Sequence, residues 1–258
     1  MKYSATVLAL LFLGSSPIAL GCKFEKSINA TLDLSASQLL NIRAAAGGLI
    51  IRGGSTSTEA QIKGKACAHS KAWLDEIGLK TETGDQARIT VLMPDKNLVR
   101  RRWFANRYAL LDLEIVVPKE LALAVNDSSG DIQITDIVGD VDLDDSSGDI
   151  RLKNIRGDVN LDDSSGDIGL KNIRGDVNVD SDSSGDIRGQ EIDGGVLVAK
   201  DSSGNIDFAN VRDDFIVEVD SSGDIVANTI GGSFRVLKDG SGAVVSRNVS
   251  GDVELPQL

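Results

Sequence analysis

From residue 126 onward the chain alternates apolar and polar positions in short runs, and the runs recur at a nearly constant interval. In 144–161 (DDSSGDIRLKNIRGDVNL), Ile150 and Leu152 alternate with Arg151 and Lys153, and Ile155 follows. Val159 and Leu161 then alternate with Asn160 and Asp162. A period of two is that of a half-buried strand, so each unit predicts two short strands separated by turns about nine residues apart. The next copy, 162–179, is identical at 16 of its 18 positions. The motif glycines Gly130, Gly148, Gly166, Gly185, Gly204, Gly223 and Gly242 are spaced by 18, 18, 19, 19, 19 and 19 residues. A fixed period near twenty is the mark of stacked coils, each burying its apolar face against its neighbours. The pattern predicts an all-β chain forming a parallel β-solenoid of 18–19-residue coils.

Substitutions along the coils compensate one another. One inward column reads Ile134, Leu152, Leu170, Gly189, Phe208, Ala227, where a single Phe stands between Gly and Ala. A second reads Val141, Val159, Val177, Val196, Phe215, Phe234. Shared volume at constant density is what a packed interior demands. Upstream, strand patterns fall at 28–34, 39–45, 49–52, 61–68, 87–93 and 110–117, with one short helix expected over 70–77 behind a Ser70 cap. The chain thus divides into 1–21, an irregular β region 22–125 continuous with or capping the solenoid, and the regular solenoid 126–258.

Residues 1–21 carry Lys2, an apolar run from Val7 to Leu13 and small residues at Ala19 and Gly21, the layout of a secretory signal. That run is too short to span a bilayer. Two cysteines, Cys22 and Cys67, make one disulfide the simplest expectation in an oxidising compartment. A lipid anchor on Cys22, at the head of the mature chain, is the alternative. The expected location is extracytoplasmic, in the periplasm or at the cell surface of a bacterium.

Net charge is −12, and residues 126–258 hold 11 Lys and Arg against 28 Asp and Glu. Phosphate would be repelled by such a surface, which argues against nucleic acid as a partner. Nucleophilic catalysis would have to pass through His69, the only histidine. Repeated carboxylates give copies rather than one distinctive reactive constellation, so no enzyme activity and no cofactor are expected. Asp145, Asp163, Asp182, Asp201 and Asp220 form a column at the ~4.8 Å strand spacing, expected to be exposed and solvated, with calcium as the ion that could bridge it. The Gly-Gly-x-Gly-x-Asp order of calcium-binding rolls is absent. A second candidate is the run Arg100, Arg101, Arg102, Trp103 to Arg107: its guanidinium forks and rings suit an anionic glycan or lipid of the envelope, and the other reading has Trp103, Phe104 and Tyr108 covering an end of the solenoid while the arginines pair with acidic coils.

The Ser-Ser-Gly-Asp-Ile repeats, the upstream Lys65-Ala-Cys67-Ala and the leader ending at Cys22 resemble the bacterial putative adhesin family of β-strand-repeat proteins, domains of unknown function. The resemblance implies a β-solenoid at the envelope or cell surface with an envelope or surface partner and no enzyme activity, and it supplies no site residues.

Overall fold

A computed structural model describes residues 22–55, 57–95 and 108–256. The leader expected over 1–21 lies outside them. Two eleven-stranded sheets face each other along the whole length. In the repeat, sheet 1 takes β9 (Ile132–Val138), β11 (Ile150–Arg156), β13 (Ile168–Ile173), β15 (Ile187–Ile192), β17 (Ile206–Val211), β19 (Ile225–Ile230) and β21 (Val244–Val249). Sheet 2 takes β8 (Ala122–Asn126), β10 (Val141–Asp145), β12 (Val159–Asp163), β14 (Val177–Asp182), β16 (Val196–Asp201), β18 (Phe215–Asp220), β20 (Phe234–Asp239) and β22 (Val253–Glu254). Every neighbouring pair of these strands is parallel, as a chain winding one way requires.

Both inward columns stack as the sequence pattern indicates. Leu152 pairs in register with Ile134 and Leu170, Gly189 with Phe208, and Phe208 with Ala227. A Cβ on Gly189 would collide with the Cδ1–Cε1 edge of the Phe208 ring, so the glycine makes the room that the phenylalanine fills. Phe208, Phe215 and Phe234 stack with centroids 5.0 and 5.2 Å apart and are fully buried. Each coil contributes about five inward aliphatic groups, and fully burying each is worth ~1.5–3 kcal/mol. Only stacking makes that burial available, so the coils stabilise one another in sequence.

Residues 22–125 supply both further coils and their cover. β2 (Leu39–Arg43) lies parallel to β8, and β3 (Leu49–Ser55) lies parallel to β9. The following coil in the chain does not stack next in space. β6 (Gln86–Leu92) and β7 (Ala109–Pro118) lie on the outer side of β2 and β3, so β2–β3 is sandwiched between segments that come later. Antiparallel strands then close this end: β4 (Glu59–Ala68) on β7, β1 (Phe24–Asp33) on β4, and β5 (Gly78–Glu82) on β6. Reversing direction removes the parallel template that another coil would need, which blunts the edge. Among the described residues the helical element is one six-residue segment, α1 (Lys71–Glu76), whose N-cap Ser70 Oγ accepts from the Trp73 amide. It tucks Leu74 against the core and leaves the class all-β. Cys22 and Cys67 are joined by a disulfide, with Cα atoms 5.6 Å apart, pinning the start of β1 to β4.

Candidate binding faces

Each residue of the Asp-Ser-Ser-Gly-Asp corner has a separate structural task. The first Asp accepts from the amide two residues on, Ser147 N to Asp145 Oδ1 at 3.2 Å and likewise at Asp163, Asp182, Asp201 and Asp220. The second Ser of most copies donates its hydroxyl to a carbonyl of the preceding coil, as Ser165 does to Ser146. The Gly has φ between +125° and +142°, and a Cβ there would collide with the carbonyl of the glycine one coil before. Only glycine meets both demands. The last Asp accepts from the amide of its counterpart in the next coil: Asp149 N to Asp131, Asp167 N to Asp149, Asp186 N to Asp167. Asn205 serves equally, since its Oδ1 accepts from Asp224 N at 3.0 Å; the position needs an oxygen and not a charge. At the opposite corner Asp140, Asp158 and Asp176 repeat the device.

The column Asp145, Asp163, Asp182, Asp201 and Asp220 is not exposed. Together with Asp127 it is buried, at 0–2% exposure, because the turn folds these carboxyls inward under the serines. The Oδ2 atom of each has no hydrogen-bond partner. Desolvation pushes Asp127 and Asp182 up to about 7 and Asp163 and Asp201 up to about 6, and raises Asp145 and Asp220 as well. Adjacent carboxyls add to the rise, Asp201 on Asp182 and Asp220 on Asp201, while the serine amides oppose it. Among the described residues no three acidic, histidine or cysteine side chains converge as a metal ion would require.

A second column escaped the sequence pattern. Asp136, Asn154, Asn172, Glu191, Asn210, Thr229 and Asn248 all take φ between 54° and 62°, one residue before the last inward side chain of each sheet-1 strand. Asn tolerates this left-handed region better than most residues, and Asn in four of seven copies was the available signal. Asn172 Nδ2 donates to Asn154 Oδ1, and Asn154 Nδ2 to Asp136, both at 2.8 Å.

Side chains left over from coil building lie on the outer faces, and the two faces differ in charge. Over β10, β12 and β14, sheet 2 presents Asp142, Asp144, Asp162 and Asp180 around a shallow hollow of about 520 Å³. Over β11, β13 and β15, sheet 1 presents Arg151, Lys153, Lys171 and Arg188 around one of about 510 Å³. A further hollow of about 740 Å³ adjoins the latter, sharing Gln133 and Arg151 and adding Lys63 and Lys65. Of the residues singled out from the sequence, Arg100, Arg101, Arg102, Trp103, Phe104 and Arg107 lie outside the described residues. His69 packs edge-on against Trp73 at 4.4 Å beside the disulfide. The cations of sheet 1 were hidden in sequence because they are spread over three coils of an acidic segment.

The family described as Toastrack DUF4097 matches this chain over residues 54–256. Among solved structures, a putative adhesin from Bacteroides fragilis is 12% identical, with 89% of this chain and 97% of that chain covered at a TM-score of 0.44. A putative cell adhesion protein from Clostridium sporogenes is 14% identical, covering 90% and 100% at 0.36. A putative lipid binding protein from Parabacteroides distasonis is 13% identical, covering 88% and 96% at 0.34. No curated protein matches.

Proposed function

The chain belongs to the Toastrack DUF4097 family, and we propose that it is a non-enzymatic, extracytoplasmic β-solenoid that binds a surface partner, as an adhesin or an envelope scaffold. One observation carries this reading. The repeated polar residues are consumed within and between coils, so repetition builds a rigid rod, and what a partner meets is the long outer faces. The Cys22–Cys67 disulfide supports an oxidising compartment, where such bonds persist. A sulfur held in that bond is unavailable for a lipid thioether. In this reading 1–21 is the leader, 22–125 closes one end and 126–258 is the displayed ladder. No helix among the described residues is long and apolar enough to cross a membrane.

Cation binding by the aspartate columns has less support. The inward column is buried, and the outward ones already accept backbone amides. An anionic glycan or lipid of the envelope is the better-supported ligand class, given the cations of sheet 1.

Protease shaving of intact cells, with mass spectrometry of the released peptides under non-reducing conditions, tests the proposal. Release of peptides from 126–258 together with a disulfide-linked Cys22–Cys67 pair is the expected result. Protection until the envelope is opened would remove surface display, and a lipid-modified Cys22 would remove the disulfide.

A further inference from the structure

Gly169 is the one glycine in an outward column that otherwise varies freely, Gln133, Arg151, Arg188, Asp207, Val226 and Val245, and nothing structural requires it. Its counterparts in register across sheet 1 are Arg151 on one side and Arg188 on the other. It is one of the two differences between the copies 144–161 and 162–179, and the other, Leu161 against Val179, points inward. A corner glycine is forced by positive φ and by the carbonyl above it. Gly169 is forced by neither, because a Cβ there would meet only Ile150 O at 3.7 Å and Arg151 Cγ at 3.9 Å, ordinary contacts, with φ in the usual range. Glycine inside a strand weakens it and marks a bulge, a bend, or a close approach of another backbone or a ligand; at Gly169 the pairing runs in register on both sides and no backbone crowds it, which leaves the last. Here the missing side chain opens the floor of the 510 Å³ hollow.

The walls are mostly cationic, with Asp207 as their one carboxylate. Arg151 is anchored to Asp149 at 2.7 Å, and Arg188 to Asp186 and Asp167, so both guanidinium groups are held at the rim with donors to spare. Lys153 and Lys171 stand side by side in register on the other flank and form no ion pair among the described residues. Gln133 and Gln190 add amides that can meet hydroxyl groups. The adjoining hollow continues the trough along the stacking direction with mixed charge, Lys63 and Lys65 standing beside Asp112, Glu114 and Asp131. A long, shallow trough with an aliphatic floor at Leu152, Leu170 and Ala209, and with four cations to the single carboxylate Asp207 over β11 to β17, suits an extended anionic chain whose sugar rings lie on that floor. The large exposed apolar side chains, Leu92, Tyr108, Leu237, Val253 and Leu255, line neither hollow.

We propose that the hollow over Gly169 is a subsite for a carboxylated linear glycan, with Arg151 and Arg188 clasping a carboxylate across the gap and Lys153 and Lys171 holding the chain alongside. It rests on the reading of the molecule as a surface-binding solenoid and names the ligand class.

The test measures binding of the full disulfide-bonded chain to polygalacturonate, neutral dextran and phosphatidylglycerol vesicles at fixed salt, with Gly169→Arg and Lys153→Gln/Lys171→Gln as variants. Gly169→Arg restores the residue of the flanking coils and adds a positive charge, so shape and charge predict opposite outcomes. The expected result is polygalacturonate binding that both variants weaken by about tenfold or more, at an unchanged melting temperature. Equal or tighter binding by Gly169→Arg would reduce the site to diffuse electrostatics and overturn the proposal. Binding to vesicles alone, or to none of the three probes, would overturn it equally. Binding of the wild-type chain to envelope fragments of its own cells is read in parallel. If Gly169→Arg leaves that binding intact the subsite falls while the broader reading stands, and if the wild type fails to bind the broader reading falls too.

Discussion

Residue by residue, the repeat is explained by what each position must do for the coil above or below it. The left-handed column makes this quantitative. Asn and Asp sit at φ near 55–61° at modest cost, whereas Thr229 holds a β-branched side chain at φ 61°. Thr229→Asn relieves that strain and sets an amide between Asn210 and Asn248, the arrangement that pairs Asn154 with Asn172. It should raise stability by about 1 kcal/mol, read as a higher urea midpoint at unchanged slope; an equal or lower midpoint would show that Thr229 is not strained. The buried aspartates have a pH consequence. Their folded values lie above the 3.8 of an unperturbed carboxyl, so between about pH 4 and pH 7 the native form holds more protons than the unfolded chain. Stability from these groups is therefore fully present at the acid end and is lost as pH rises through 6 to 7.

Among the elements, the turns set register and the strands fill in volume. Gly185 shows how little freedom a corner has, since φ is +133° and a Cβ would run into the Gly166 carbonyl. Gly185→Ala should cost about 3 kcal/mol or more, from strained backbone and overpacking together. Gly169→Ala, in a strand with room, should cost nothing or gain about 0.5 kcal/mol. Thermal melts of the two variants check the contrast, and similar losses in both would undo the distinction drawn between corner and strand glycines. The same contrast explains what could be read from sequence. Parallel coils, the two inward columns and the corner glycines were legible because each is a repeated, local demand on side-chain volume or φ. The burial of Asp145 and its equivalents was not, because an Asp in a Ser-Gly turn looks the same whether the turn folds its carboxyl inward or outward. Nor was the displaced order of β2–β3 and β6–β7, which depends on pairing between segments far apart in the chain. The sheet-1 hollow was half visible, in that Gly169 is one of two differences between the near-identical copies 144–161 and 162–179, but its significance needed the register that places it between Arg151 and Arg188.

At the scale of the whole molecule, the fold is a stack closed at one end by antiparallel strands and a disulfide, with differently charged broad faces. Closing the 45-residue separation between Cys22 and Cys67 contributes roughly 4 kcal/mol in the chain-entropy model. Because coils couple only to neighbours, reduction should loosen β1 and β4 first and leave the distant coils in place. Hydrogen exchange with and without reductant would show faster exchange over 24–33 and 59–68 and little change over 187–239, and uniform loss of protection would contradict that view. The central claim is that the Asp-Ser-Ser-Gly-Asp motif is internal architecture and not a ligand site. Its most direct test is urea unfolding at pH 5 and pH 8, each with millimolar calcium or with EDTA, on the wild type and Asp182→Asn. The account predicts a chain more stable at pH 5, by on the order of 1 kcal/mol per buried carboxyl, indifferent to calcium, with a flatter pH dependence in Asp182→Asn. A midpoint that rises from pH 5 to pH 8, or that calcium raises, would contradict it.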